Sequence, residues 1–277
     1  MTLKTIVACL TAPESTPRVA EVALRLAGRH KAHLIALHVI PKVSAYNLAG
    51  AEYSFEIVRQ QEEVLQEQAA EVEKLFAKAA KSSSAATEWR CEQSPRVDLT
   101  TAIRQSIPCA DLIVMNQFLG TGVDPEMTAD VIIGAGRPAL IVPGVGKPRE
   151  VGKRAMIAWD GKSEAMRAAF DAVPLIGHAD SVNILTIKPD GRDRGETTTP
   201  GDDLAVALSR HGVKAATVTS LPTEIPVGDA LLSSIADESC DLLVMGCYGH
   251  TRLRELIFGG VTRHILRHMT VPVLMSH

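Results

Sequence analysis

Four glycines at 246, 249, 259 and 260, interleaved with Arg252 and Thr262, form the part of this chain best suited to chemistry. They lie in GCYGHTRLRELIFGGVT, from Gly246 to Thr262, directly after the apolar run CDLLVM from Cys240 to Met245. A short apolar run closed by a turn signal reads as a buried strand. Gly246 and Gly249 lack a Cβ and tolerate positive φ, so ligand oxygens could approach their amides closely. Two adjacent glycines inside a helix each cost about 1 kcal/mol relative to alanine, so a helix begins near Gly260 rather than running through it. The order is strand, glycine loop, helix. Unpaired amides at that helix start, reinforced by its dipole, favour an anion such as a di- or triphosphate. Arg252 or Arg254 could fork onto phosphate oxygens. A tight turn without a ligand is the alternative for any single glycine pair.

The spacing matches neither the dinucleotide fingerprint nor the P-loop, which needs a Gly-Lys-Ser/Thr ending. It resembles instead the nucleotide-binding loop of the universal stress protein family. The shared pattern is two glycines three apart, nine residues, then Gly259 and Gly260 followed by Val261 and Thr262. KRAMIAW, Lys153 to Trp159, followed by Asp160-Gly161-Lys162-Ser163, is similar to the family's first strand and its acidic residue. The C-terminal HMTVPVLMSH resembles its last helix and strand. The resemblance implies an adenine nucleotide, ATP, with Mg²⁺ reached only through the phosphates. It implies that Asp160 meets the nucleoside and that Gly246, Gly249, Gly259, Gly260, Val261 and Thr262 surround the phosphates, while Arg252, read from its position alone, is either a phosphate ligand or a solvated side chain. One departure stands out: Gly260 occupies the position where the family most often carries Ser or Thr, while Thr262 keeps the next hydroxyl.

An internal repeat supplies the elements that must position these residues. Lys4 to Leu10 matches Lys153 to Trp159, ADLIVM from Ala110 matches CDLLVM from Cys240, and RPALIVP from Arg137 matches VPVLMS from Val271. In each copy Val/Ile/Leu-rich runs alternate with helical periodicity, the pattern of parallel strands joined by crossover helices. Strands are expected near 4–10, 32–39, 87–92, 111–116 and 139–142, and again near 153–159, 181–187, 214–219, 241–245 and 271–276. The fold class is α/β: two tandem doubly wound domains, 1–146 and 151–277, linked through Gly144 to Gly152. The resemblance implies for each a five-stranded parallel sheet of order 3-2-1-4-5, of the adenine nucleotide alpha hydrolase-like type. Ligands in open α/β sheets bind beyond the strands' carboxyl ends, where the winding reverses. That order makes strands 1 and 4 neighbours, so Asp160 and Gly246 meet at one crevice.

Aligning the repeats puts Thr11 opposite Asp160, Asn116 opposite Gly246, Leu119 opposite Gly249, and Ala129 with Asp130 opposite Gly259 and Gly260. The first copy therefore carries a degenerate loop, with a negative charge where phosphate should lie. The long amphipathic stretch from Phe55 to Lys81 packs on its own sheet and leaves length for a partner surface.

The remaining composition excludes more than it proposes. A net charge of −3, a pI near 6.3 and 4% aromatic residues give no basic footprint or stacking platform for nucleic acid. No apolar run approaches the roughly 20 residues that span a bilayer, so a cytoplasmic protein without a membrane partner is expected. The five cysteines contain no C-x-x-C pair and are expected to be reduced. Cys247, inside the glycine loop near a helix start, is the one whose thiol pKa could fall, although nothing in the sequence supports a redox role over an ordinary buried thiol. His264 and His268 have a chelating spacing but lack the adjacent Glu of a zinc-protease motif, so no metal ligand is assigned. Asp160 also suits an N-cap of the helix that follows. No nucleophile elbow, kinase loop or paired carboxylates appear, so no catalytic residue is assigned. The expected function is nucleotide binding by the second domain in a regulatory, stress-response role. Slow Mg-dependent ATP hydrolysis at the same site, or an interaction scaffold that has lost the nucleotide, are the alternatives. Pairing of the two last strands would make an intramolecular pseudo-dimer, and a homodimer is a further expectation.

Overall fold

The computed structural model describes residues 2–43, 54–94, 101, 103, 105, 107, 109–117, 125–146, 150–189, 201–214, 216–247 and 260–277. The chain forms two compact units, residues 3–116 and residues 117–277, with Thr2 grouped with the second.

In the first unit the elements run β1 (Thr5–Cys9), α1 (Thr16–His30), β2 (His33–Ile40), α2 (Ser54–Ala80), β3 (Ala86–Gln93) and β4 (Leu112–Asn116). The strands lie in the order β3-β2-β1-β4, and every pairing is parallel. Nearly every residue of β1, β2 and β4 is buried, because helices cover both faces of a parallel sheet. β3 is the exposed edge and carries the mixed sequence ATEWRCEQ. Ala69, Val72 and Phe76 are the buried positions of α2, at helical spacing, while no residue from 56 to 68 is buried. Phe76 and His38 flank the Trp89 ring, at centroid separations of 6.2 and 6.3 Å.

The second unit holds α3 (Pro125–Ala135), β5 (Ala139–Val142), β6 (Arg154–Ala158), α4 (Ser163–Asp171), α5 (Val173–Ile176) and β7 (Ser181–Pro189). It continues with α6 (Asp202–Arg210), β8 (Ala216–Thr223), α7 (Val227–Asp237), β9 (Leu242–Gly246), α8 (Gly260–His268) and β10 (Val273–Ser276). Its sheet order is β5-β10-β9-β6-β7-β8. From β10 to β8 all pairings are parallel and reproduce 3-2-1-4-5 for the second repeat. β5 joins the far edge antiparallel to β10, with Ile141 opposite Val273 and Ala139 opposite Met275. The last strands of the two repeats are thus hydrogen-bonded partners.

One device recurs in both repeats and registers strand 1 against strand 4. Asp111 accepts hydrogen bonds from the Lys4 and Thr5 amides at 2.7 and 2.9 Å. Asp241 accepts from the amides of Gly152, Lys153 and Arg154 at 2.8 to 3.2 Å. A carboxylate before one strand thereby satisfies the amides that open its neighbour. No helix among the described residues is long and apolar enough to cross a membrane.

Candidate functional site

β6 and β9 are the first and fourth strands of the second repeat, and they pair with Ala155 opposite Leu242 and Ile157 opposite Val244. Their carboxyl ends are therefore adjacent, and the chain leaves each of them towards the residues singled out above.

Beyond β6, the Trp159 amide still donates to Leu185 O at 2.9 Å, so the backbone is held up to the acidic residue. Gly161 then takes φ +75°, a left-handed conformation that glycine adopts without a Cβ penalty. The turn brings the Lys162 amide onto Asp160 Oδ1 at 3.1 Å and the Lys162 Nζ to 3.2 Å from Asp160 Oδ2. Both side chains are about half exposed. The N-cap of α4 is Lys162, with no side-chain cap, so Asp160 closes a local turn two residues earlier instead of capping the helix.

Beyond β9, Gly246 abuts the first turn of α4. A Cβ built on it would stand 2.7 Å from Glu164 Cβ and 2.8 Å from the Ala165 nitrogen. The lack of a side chain at Gly246 is thus demanded by helix packing before any ligand is considered. Cys247 follows, locked from both sides: its amide donates to Ser276 O at 2.8 Å, and its carbonyl accepts from His277 Nδ1 at 2.8 Å. Burial pushes the Cys247 thiol up to about 12, opposite to the lowering expected near a helix start. Desolvation dominates there, and the thiol is inert at neutral pH.

Gly249, Arg252, Arg254 and Gly259 lie outside the described residues. The loop returns at α8, which begins at Gly260, as its paired glycines require. Gly260 is exposed, and a Cβ there would meet nothing within 4 Å. Val261 is half-buried, and Thr262 is only 5% exposed. The far end of α8 is fastened by a residue the sequence did not single out. Gln117, 4% exposed, donates its side-chain amide to Leu266 O at 2.9 Å and Arg267 O at 3.1 Å, and accepts from the Gly144 amide. It satisfies carbonyls that a helix end leaves unpaired.

His264 and His268 serve this packing. Their rings lie 4.4 Å apart, and His268 Nδ1 donates to His264 O at 2.9 Å. His264 Nε2 is 2.9 Å from Asp229 Oδ1 without the alignment of a hydrogen bond. A Cβ on Gly228 would strike that imidazole at 2.6 Å, so the glycine makes room for it between α7 and α8. Among the described residues, no group of three or more His, Cys, Asp or Glu side chains converges as a metal set.

The corresponding strand ends of the first repeat are bridged by their own side chains: Thr11 Oγ1 donates to Asn116 Oδ1 at 2.9 Å. Leu119 lies outside the described residues, and Asp130 is exposed on α3. Lys162 was passed over in the sequence, although it stands in the quoted Asp-Gly-Lys-Ser; a cation two residues from an acid across a glycine was the signal.

Such a fold, with parallel strands ordered 3-2-1-4-5 in the second repeat, defines a tandem protein of the doubly wound α/β class. A profile of the universal stress protein family matches residues 2–116 and 152–277, and the chain belongs to that family. A curated relative, universal stress protein Slr1230 of Synechocystis, is 28% identical over 142 residues, covering 50% of this chain and 46% of that protein. The chain thus spans about half the length of the curated relative it matches. A universal stress protein from Archaeoglobus fulgidus superposes with a TM-score of 0.65 at 17% identity, over 98% of this chain and 95% of its own. A putative universal stress protein from Pseudomonas aeruginosa gives 0.59 at 13% identity, over 99% and 93%. At these identities the two structures speak for the fold alone.

Proposed function

We propose that this universal stress protein binds one ATP in its second domain, at the carboxyl ends of β6 and β9, and works as a nucleotide-responsive regulator in a stress response. The single observation that carries the proposal is the pairing of β6 with β9, which makes neighbours of the strand ends that lead to Asp160 and Gly246. Asp160 takes the nucleoside. The amides of Gly260, Val261 and Thr262 at the start of α8 face the phosphates, together with Gly249, Arg252 and Gly259 of the loop, and Mg²⁺ rides on the phosphates. Exposure of Gly260 and of the Asp160 carboxylate fits such a ligand, whereas burial of Thr262 leaves the backbone as the better donor at that turn. The first domain, 1–146, carries a degenerate loop and binds nucleotide poorly, a reading the Thr11–Asn116 bridge across its strand ends supports. The antiparallel pairing of β5 with β10 is the seam of an intramolecular pseudo-dimer.

The test is to denature freshly purified full-length protein and analyse the supernatant by ion-exchange chromatography with mass detection. ATP or ADP near one per chain supports the proposal. No nucleotide, and none retained after incubation with Mg-ATP, overturns it.

A further inference from the structure

We infer that Lys162 is the phosphate-binding cation of this crevice, paired with Asp160 until a nucleoside di- or triphosphate draws it away. The inference rests on the proposed nucleotide site and adds to it a residue and a preference among ligands. Lys162 is the residue immediately before α4, and the first turn of α4 is the surface against which Gly246 packs. A side chain starting there begins next to Gly246, the last residue of β9. Its backbone is fixed, since its amide donates to Asp160 Oδ1 at 3.1 Å and its carbonyl accepts from the Met166 amide at 2.9 Å. Its ammonium tip is not fixed, being carried on a four-carbon stem that is about half exposed.

The contact that now holds the tip is a half-exposed ion pair at 3.2 Å, and such pairs are worth little. The phosphates of ADP or ATP carry more negative charge than one carboxylate and accept charge-assisted hydrogen bonds from an ammonium. Moving Lys162 from Asp160 to phosphate also uncovers Asp160 Oδ2, the group assigned to the nucleoside. One side-chain movement therefore readies both parts of the ligand site, and a phosphorylated ligand favours it. The cation also offsets the hydroxyl that Gly260 does not provide. In the first repeat the equivalent position is Pro13 and the acidic position is Thr11, so neither member of the pair exists there.

Isothermal titration of the full chain with ATP, ADP and adenosine, for the natural protein, Lys162→Met and Lys162→Arg, tests this. The expected result is a loss of about tenfold in ATP affinity for Lys162→Met, a smaller loss for Lys162→Arg, and adenosine affinity that does not fall, since Asp160 Oδ2 is then uncovered. Unchanged ATP affinity in Lys162→Met overturns the role of Lys162 and leaves the nucleotide site standing. An equal loss for adenosine and ATP also overturns it, because it marks a general disturbance of the crevice. A natural protein that binds none of the three overturns both the inference and the site.

Discussion

Gly246 and Gly260 belong to one motif, yet they are glycines for different reasons. The backbone of α4 leaves no space for a Cβ on Gly246, whereas nothing crowds Gly260. Gly246→Ala should therefore cost about 1–3 kcal/mol of stability by overpacking, read as a lower urea midpoint. Gly260→Ser should fold as well as the natural protein and bind ATP several-fold more tightly, by adding a hydroxyl at the helix start; an unchanged affinity would argue against phosphate at that turn. The spacing of the glycines was legible in the sequence, but the cause at Gly246 was not, because Glu164 and Ala165 lie far from it along the chain. His38 is a second residue whose role only packing reveals. It is 5% exposed, its Nδ1 donates to Leu10 O at 2.6 Å, and desolvation holds its pKa below the ordinary histidine value despite that hydrogen bond. The unfolded chain therefore binds the proton first, so this part of the stability is complete above about pH 6.5 and is lost as pH falls towards the folded value. Urea midpoints at about pH 7.5 and pH 5.5 should fall towards acid, and His38→Gln should flatten that dependence.

At the scale of elements, α8 matters most to the proposed site, since its first amides are the proposed phosphate donors. The sequence showed where it begins, because paired glycines resist a helix interior. It did not show what fastens its other end. Gln117 is far from α8 in sequence and sits in an unremarkable position after β4, so no local pattern could mark it as a cap. Gln117→Leu should cost about 1–3 kcal/mol by leaving the Leu266 and Arg267 carbonyls unpaired, and hydrogen exchange should quicken in the last turn of α8. Unchanged exchange there would mean that water replaces the cap without loss. The buried strands, in contrast, were legible to within a residue or two, because a parallel sheet covered on both faces leaves continuous apolar runs, whereas the exposed edge strand β8 runs to Thr223, four residues past the expected 219.

At the scale of the whole molecule, the duplication places an acid and a glycine loop in one repeat, and a Thr11–Asn116 bridge at the matching strand ends of the other. Strand order was expected from the family resemblance alone, since periodicity carries no information about which strands are neighbours. The antiparallel joint of β5 and β10 likewise depends on an edge meeting an edge, a long-range event. If one site per chain is correct, millimolar ATP should raise the melting temperature of the natural protein by mass action, and the gain should follow RT ln(1 + [L]/Kd). The most direct test is equilibrium dialysis of ATP against the full chain beside Asp160→Ala, chosen because the half-exposed carboxylate supports no core packing. The account predicts one ATP per chain, with affinity strongly reduced in the variant. Two ATP per chain, no binding, or binding that Asp160→Ala leaves unchanged would contradict it.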